Sequence, residues 1–231
     1  TDTIAVNPDN TLFRETDWKL FFRPAGHGAL IENLNDLDAD LIFVKNIDNV
    51  TTDARRGDVI EFLNTLAGVM VTLQERIFGH LNALDNGNAN LGEIATFIEK
   101  DLMVKMPADA GVELYRQILN RPIRVCGMVP NEDEPGGGPF WVRNRDGSVS
   151  LQIVESSQIA PDMIHIMKNA THFNPVNMIC GIKDYRGERF DLRQFVDPTM
   201  GFIGEKSKDG KPLSALERPG LWNGAMAKWN T

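Results

Sequence analysis

At 231 residues the chain is long enough for one large domain, or for one core with an insertion, and its 42% hydrophobic content supports a substantial buried core. A formal net charge of −8 argues against an electrostatic grip on nucleic acid or anionic lipid, although a few local donors could still hold a phosphorylated small molecule. No run reaches the length of a membrane span and no basic-then-apolar signal opens the chain, so the expected location is cytoplasmic.

Residues 17–23 read as a strand leading to Pro24, and residues 26–36 as a glycine turn opening a short helix. Residues 40–45 form an apolar, β-branched run that fits a buried parallel strand, and this order suggests a doubly wound sheet. From Asp58 to about Leu84, apolar residues step by threes and fours (Val59, Leu63, Leu66, Met70, Leu73, Ile77), as in a long amphipathic helix. Two further helices are expected near 91–104 and 108–119, the three together forming a helical insertion at about 53–120 and lying outside any ligand cleft. Sheet patterning resumes at 123–129. A Pro/Gly loop at 131–139 follows, then a hairpin in which residues 140–142 and 149–154 flank Arg145-Asp146-Gly147. Beyond it the chain reads as irregular, with a short helix at 161–168 and a strand near 178–182.

Four polar segments could carry chemistry. Gly26-His27-Gly28 lies between a strand and a helix, where glycines admit a ligand to the backbone or simply make a turn. Asn46, Asp48 and Asn49 end the apolar run; an aspartate there either holds Mg²⁺ between phosphates or caps the next helix. Glu155 and Gln158 end another strand, where a carboxylate and an amide suit sugar hydroxyls or merely face water. His172, Asn174 and Asn177 fall within six residues and suit polar recognition or a turn. These segments are expected to converge on one cleft. His80 and His165 sit on predicted helices as surface or packing residues, and no spacing indicates zinc. Cys126 and Cys180 read as buried reduced thiols.

Taken in order, Pro24-Ala25-Gly26-His27-Gly28, Asn46-Ile47-Asp48-Asn49, Glu155-Ser156-Ser157-Gln158 and Phe173-Asn174-Pro175-Val176-Asn177 resemble the uridylyltransferases that make UDP-glucose, the UDP-sugar pyrophosphorylase type. Those enzymes carry Pro-Gly-His-Gly, Asn-x-Asp-Asn, Glu-x-x-Gln and Phe-Asn-x-x-Asn; Ala25 interrupts the first here. Over nearly the whole chain, the stretch from Arg121 to Val129, the loop from Pro135 to Trp141, and Pro219-Gly220-Leu221-Trp222-Asn223-Gly224-Ala225-Met226 resemble a bacterial domain-of-unknown-function family, number 4301.

The first resemblance implies an α/β, GT-A-like nucleotidyltransferase mixed sheet (Rossmann-like), of which residues 1–231 would be the C-terminal part. Gly26 and Gly28 would admit the uracil or ribose, and His27 would reach phosphates or sugar. Asp48 would hold Mg²⁺ by the phosphates, with Asn46 beside the sugar and Asn49 among the substrate-binding residues. Glu155, Gln158, Asn174 and Asn177 would serve the sugar. The implied reaction is in-line transfer of a nucleotide onto a sugar 1-phosphate. The Gly-rich loop that opens such enzymes has no counterpart here. Their late lysine has none either, since Lys211-Pro212 is expected in a turn. Both ends of the chain read as cut, and this piece alone is expected to be inactive. The rivals are a non-catalytic nucleotide- or sugar-binding module, and a metal-dependent phosphoesterase using Asp48, His27 and His172.

Overall fold

The computed structural model describes residues 2–47, 49–132 and 136–231, at Ser157 by its backbone only. Asp48 and positions 133–135 of the Pro/Gly loop therefore lie outside the described residues. The chain divides into two compact units: Thr1–Leu37 with Asp191–Lys228, and Asp38–Phe190 with Trp229–Thr231.

The first unit begins with β1 (Asp2–Val6), β2 (Phe22–Pro24) and α1 (Leu30–Asn35). The second unit opens with β3 (Ile42–Lys45), α2 (Arg56–Asp85), α3 (Leu91–Lys100), β4 (Val104–Lys105) and α4 (Val112–Leu119). It continues with β5 (Ile123–Cys126), β6 (Val129–Pro130), β7 (Gly138–Arg143) and β8 (Val149–Val154). It closes with α5 (Ile164–Lys168), β9 (His172–Phe173) and β10 (Asn177–Gly181). The chain then returns to the first unit with β11 (Phe202–Lys208) and β12 (Lys211–Glu217).

In the first unit the strands form one antiparallel sheet of order β11-β12-β1-β2. Asp209 and Gly210, at φ 52° and 76°, form the two-residue connection between β11 and β12, a geometry whose twist matches the flanking strands. Lys211 and Pro212 are thus strand residues, not turn residues, and the expectation of irregular chain fails here. Of the strand expected at 17–23 the later part is extended, with Leu20 bridged to Arg14 and β2 beginning at Phe22, while Asp17 and Trp18 form a turn. Asp17 accepts the Lys19 N–H at 3.2 Å, and the Trp18 N–H donates to the Glu15 carbonyl at 2.9 Å, which breaks the ladder before β2. Ala5, Phe13 and Leu213 make a small core with Phe21 against it.

In the second unit β3-β10-β5, β4-β8-β7 and β6-β9 form three sheets, all with antiparallel ladders. The chain is mixed α/β, but β3 runs antiparallel to β10, with Asn177 opposite Lys45 and Cys180 opposite Ile42, so the buried parallel strand and doubly wound sheet are not found. An apolar run does not specify its partner's direction. Nor is this one fully buried, since Phe43 is 51% exposed.

The long helix is present as α2. Its Met70, Ile77 and Leu81 join Ile94, Phe97, Ile98 and Ile118 from α3 and α4, and Ile123 and Ile179 from β5 and β10, in the largest core cluster. Each such side chain contributes about 1.5–3 kcal/mol on burial, so the helices are a structural layer on the β5–β10 ladder. Asn90 caps α3 by accepting the Glu93 N–H at 3.2 Å. That helix stops at Lys100, short of the expected 104, because Met103 takes φ 52° before β4 begins. Among the described residues no helix is long and apolar enough to cross a membrane.

Candidate functional site

The second unit builds its polar cluster around the turn between β9 and β10. The Asn174 N–H donates to the Gly137 carbonyl at 2.8 Å, and the Asn174 Oδ1 accepts the Val176 N–H at 3.0 Å, closing the turn on its own side chain. Val176 adopts φ 56°, a left-handed conformation rare for a β-branched residue and costing on the order of 1–3 kcal/mol. Its carbonyl accepts the Asn46 N–H at 3.1 Å, and the Asn49 side-chain amide donates to the Pro175 carbonyl. The end of β3 is thereby tied to the start of β10.

Two buried amide atoms, in this turn and at the start of β10, have no partner among the described residues, as is also true of Asn120 Oδ1, Asn131 Oδ1 and Trp229 Nε1. Asn174 is 4% exposed and its Nδ2 is buried without a partner; the Asn177 Oδ1 is likewise buried and unpartnered among the described residues. One is a donor and the other an acceptor. Leaving such a group unsatisfied costs about 1–3 kcal/mol.

Glu155 stands close by. A Cβ on Gly137, whose carbonyl holds Asn174, would lie 3.3 Å from the Glu155 Cγ and 2.8 Å from the Ile153 Cγ2. Glu155 and Gln158 form a capping box on the turn Ser156–Gln158: the Glu155 N–H donates to the Gln158 Oε1 at 2.9 Å, and the Glu155 side chain accepts the Gln158 N–H. The Glu-x-x-Gln spacing thus has a local structural role at the end of β8. Asn46, Asn49, Glu155, Asn174 and Asn177 gather in this unit.

The glycine turn belongs to the first unit and is closed by its own chain. Gly26 takes φ 80°. The His27 Nδ1 accepts the Leu221 N–H at 3.0 Å, and its ring stacks on Trp222 with centroids 4.1 Å apart. A Cβ on Gly28 would fall on the Pro219 carbonyl oxygen, so only glycine fits. The Arg218 N–H donates to the Ala25 carbonyl at 2.8 Å. This interlock escaped sequence reasoning, although the glycines of Pro219-Gly220-Leu221-Trp222-Asn223-Gly224 mark a tight turn. A Cβ on Gly220 would lie 2.8 Å from the His27 Cε1.

Other reactive groups serve packing. Cys126 and Cys180 are free thiols on neighbouring strands. Burial pushes the Cys180 thiol up to about 12, with Cys126 adding to the rise and Arg124 opposing it; burial raises Cys126 too. Neither is a nucleophile near neutrality. Arg124 is fully buried and was not anticipated; it donates to the Gln152 Oε1 at 3.2 Å and to the Thr231 Oγ1 at 3.0 Å. His80 packs on Phe97 at 4.9 Å, and burial holds its pKa below the usual imidazole value. His165 and His172 are exposed. Among the described residues no three His, Cys, Asp or Glu side chains are grouped to hold a metal.

The model of a family described as Domain of unknown function (DUF4301) matches residues 1–231. No curated protein and no solved structure matches the chain.

Proposed function

We propose that the chain, which belongs to this family, is the sugar-holding part of a GT-A-like, Mg²⁺-dependent sugar-1-phosphate nucleotidyltransferase. The observation that carries this reading is the pair of unused amide atoms, Asn174 Nδ2 and Asn177 Oδ1, in a turn held rigid by Asn46, Asn49 and Gly137. A hydroxyl is at once donor and acceptor, so a sugar could meet both the donor and the acceptor and would relieve both desolvation costs. The four-motif resemblance to the enzymes that make UDP-glucose points the same way.

Asp48 is the carboxylate this reading assigns to Mg²⁺. That ion takes one or two carboxylates and completes its shell with phosphate oxygens and water, so one aspartate suffices. Bound with a nucleotide it would neutralise phosphate charge. The chain's own share is to orient the sugar and keep it from turning.

A second reading, a binding module without turnover, is favoured by the closed glycine turn. His27, the other residue assigned to catalysis, spends its Nδ1 on the Leu221 N–H.

Calorimetry with UDP-glucose tests both. The parent is expected to bind with a Kd on the order of 0.1–1 mM, roughly 4–5.5 kcal/mol. Asn174→Ala should weaken binding about tenfold, with or without Mg²⁺, as expected for loss of one buried hydrogen bond. Asp48→Asn should abolish only the dependence on Mg²⁺. Unchanged affinity in Asn174→Ala would overturn the sugar-side assignment, and undiminished Mg²⁺ dependence in Asp48→Asn would remove that residue from the metal site.

A further inference from the structure

The four-stranded sheet of the first unit has an inner face and an outer face. Ala5, Ala215 and Leu213 are buried on the inner one. The register places Phe22 opposite Ile4, Ile4 level with Leu216, and Leu216 opposite Ile203, so one residue from every strand falls in a single row. Strand alternation turns that row outward. All four are large and apolar, yet they are 51%, 36%, 48% and 64% exposed. Leu12, bridged to Val6, is exposed at its border.

We propose that this face is where a second copy of the chain packs, sheet on sheet. At about half exposure each side chain leaves on the order of 100 Å² uncovered, so the five together reach the few hundred Å² that mark an interaction surface. A homodimer buries about 800 Å² per partner, about 65% of it apolar in character, and this face supplies most of that apolar share. Beside Leu216 it continues into a cavity of about 380 Å³ walled by Ile31, Val196 and Pro219.

The charges at the rim favour self-association over an unrelated partner. Arg218 lies two residues beyond Leu216 on one side of the row, and Glu205 two residues beyond Ile203 on the other. A two-fold axis along the row sets each apolar side chain against its own counterpart and brings Arg218, which within one copy pairs with Glu32 at 3.2 Å, toward Glu205 of the second copy. Edge-to-edge pairing is disfavoured, because the edge strand β11 carries Glu205, Lys206 and Lys208. The net charge of −8 on each copy opposes association, so added salt should strengthen it. The proposal is independent of the sugar site, since its residues all lie in the first unit.

Sedimentation equilibrium of the 231-residue chain, over about 1–100 µM, is the test. The expected result is a species of twice the 25.8 kDa chain mass. Ile203→Glu and, separately, Phe22→Ser should each weaken association at least tenfold while leaving the circular dichroism spectrum unchanged. A chain that stays at 25.8 kDa throughout, or a dimer that both variants leave intact, would overturn the proposal.

Discussion

As sequence, the turn at residues 26–28 in the first unit resembles the turn at residues 174–177 in the other: small or polar residues, a proline nearby, the end of a strand. Physically they are opposites. Around Gly26, His27 and Gly28 the chain supplies its own occupant, with Pro219 filling the space over Gly28 and the Leu221 N–H taking the His27 Nδ1. Around Asn174 and Asn177 a donor and an acceptor are buried without a partner among the described residues. A fold normally pairs its buried polar groups, so the unpaired ones are where a ligand is most readily sought.

The largest effect on this contrast is expected at Gly28. If its role is close packing on Pro219, Gly28→Ala places a methyl on a carbonyl oxygen, and the first unit should lose at least about 3 kcal/mol, read by urea denaturation. A cost below about 1 kcal/mol would mean that the turn has room to spare and that the contrast is false.

Next comes Cys180, on the strand that Asn177 begins. Its folded pKa of about 12 lies above the ordinary thiol value of 9.0 because the thiol is buried. The neutral thiol is therefore favoured in the folded state, and this stability is fully present below pH 9.0. As pH rises toward 12 the unfolded chain ionises first, and stability should fall by about 1.4 kcal/mol per pH unit from this group. A Cys180→Ala variant should lack that part of the alkaline slope; identical slopes in both proteins would show that the thiol is not held apart from water.

Much of this layout was legible in the sequence, and the rest has identifiable reasons. α2 declared itself because its apolar residues repeat at helical spacing and face one core. The β7–β8 hairpin did so through alternation on both sides of Asp146-Gly147. Strands β11 and β12 did not, because their outward residues are as apolar as their inward ones and Ser207, Lys206 and Lys208 interrupt the pattern. The Asp209-Gly210 pair was the available signal. The direction of β3 could not be read from the run that forms it, since its partner β10 is distant in sequence. At the sites, the polar residue types were visible. That Glu155 and Gln158 cap one another was foreshadowed by their spacing of three. What no local pattern reports is which side-chain atoms the rest of the chain satisfies: Pro219 meets Gly28, and Gly137 meets Asn174, only through long-range folding.

The most direct measurement follows individual amides by nitrogen–proton correlation spectroscopy while UDP-glucose is added to the intact chain. The Asn174 side-chain NH₂ should show the largest shift, saturating with the affinity seen by calorimetry, and the Asn177 backbone amide should move with it. The Leu221 N–H, bonded to the His27 Nδ1, should stay within the noise. A saturating shift at Leu221 with a silent Asn174 NH₂ would contradict the assignment and return the ligand to the glycine turn.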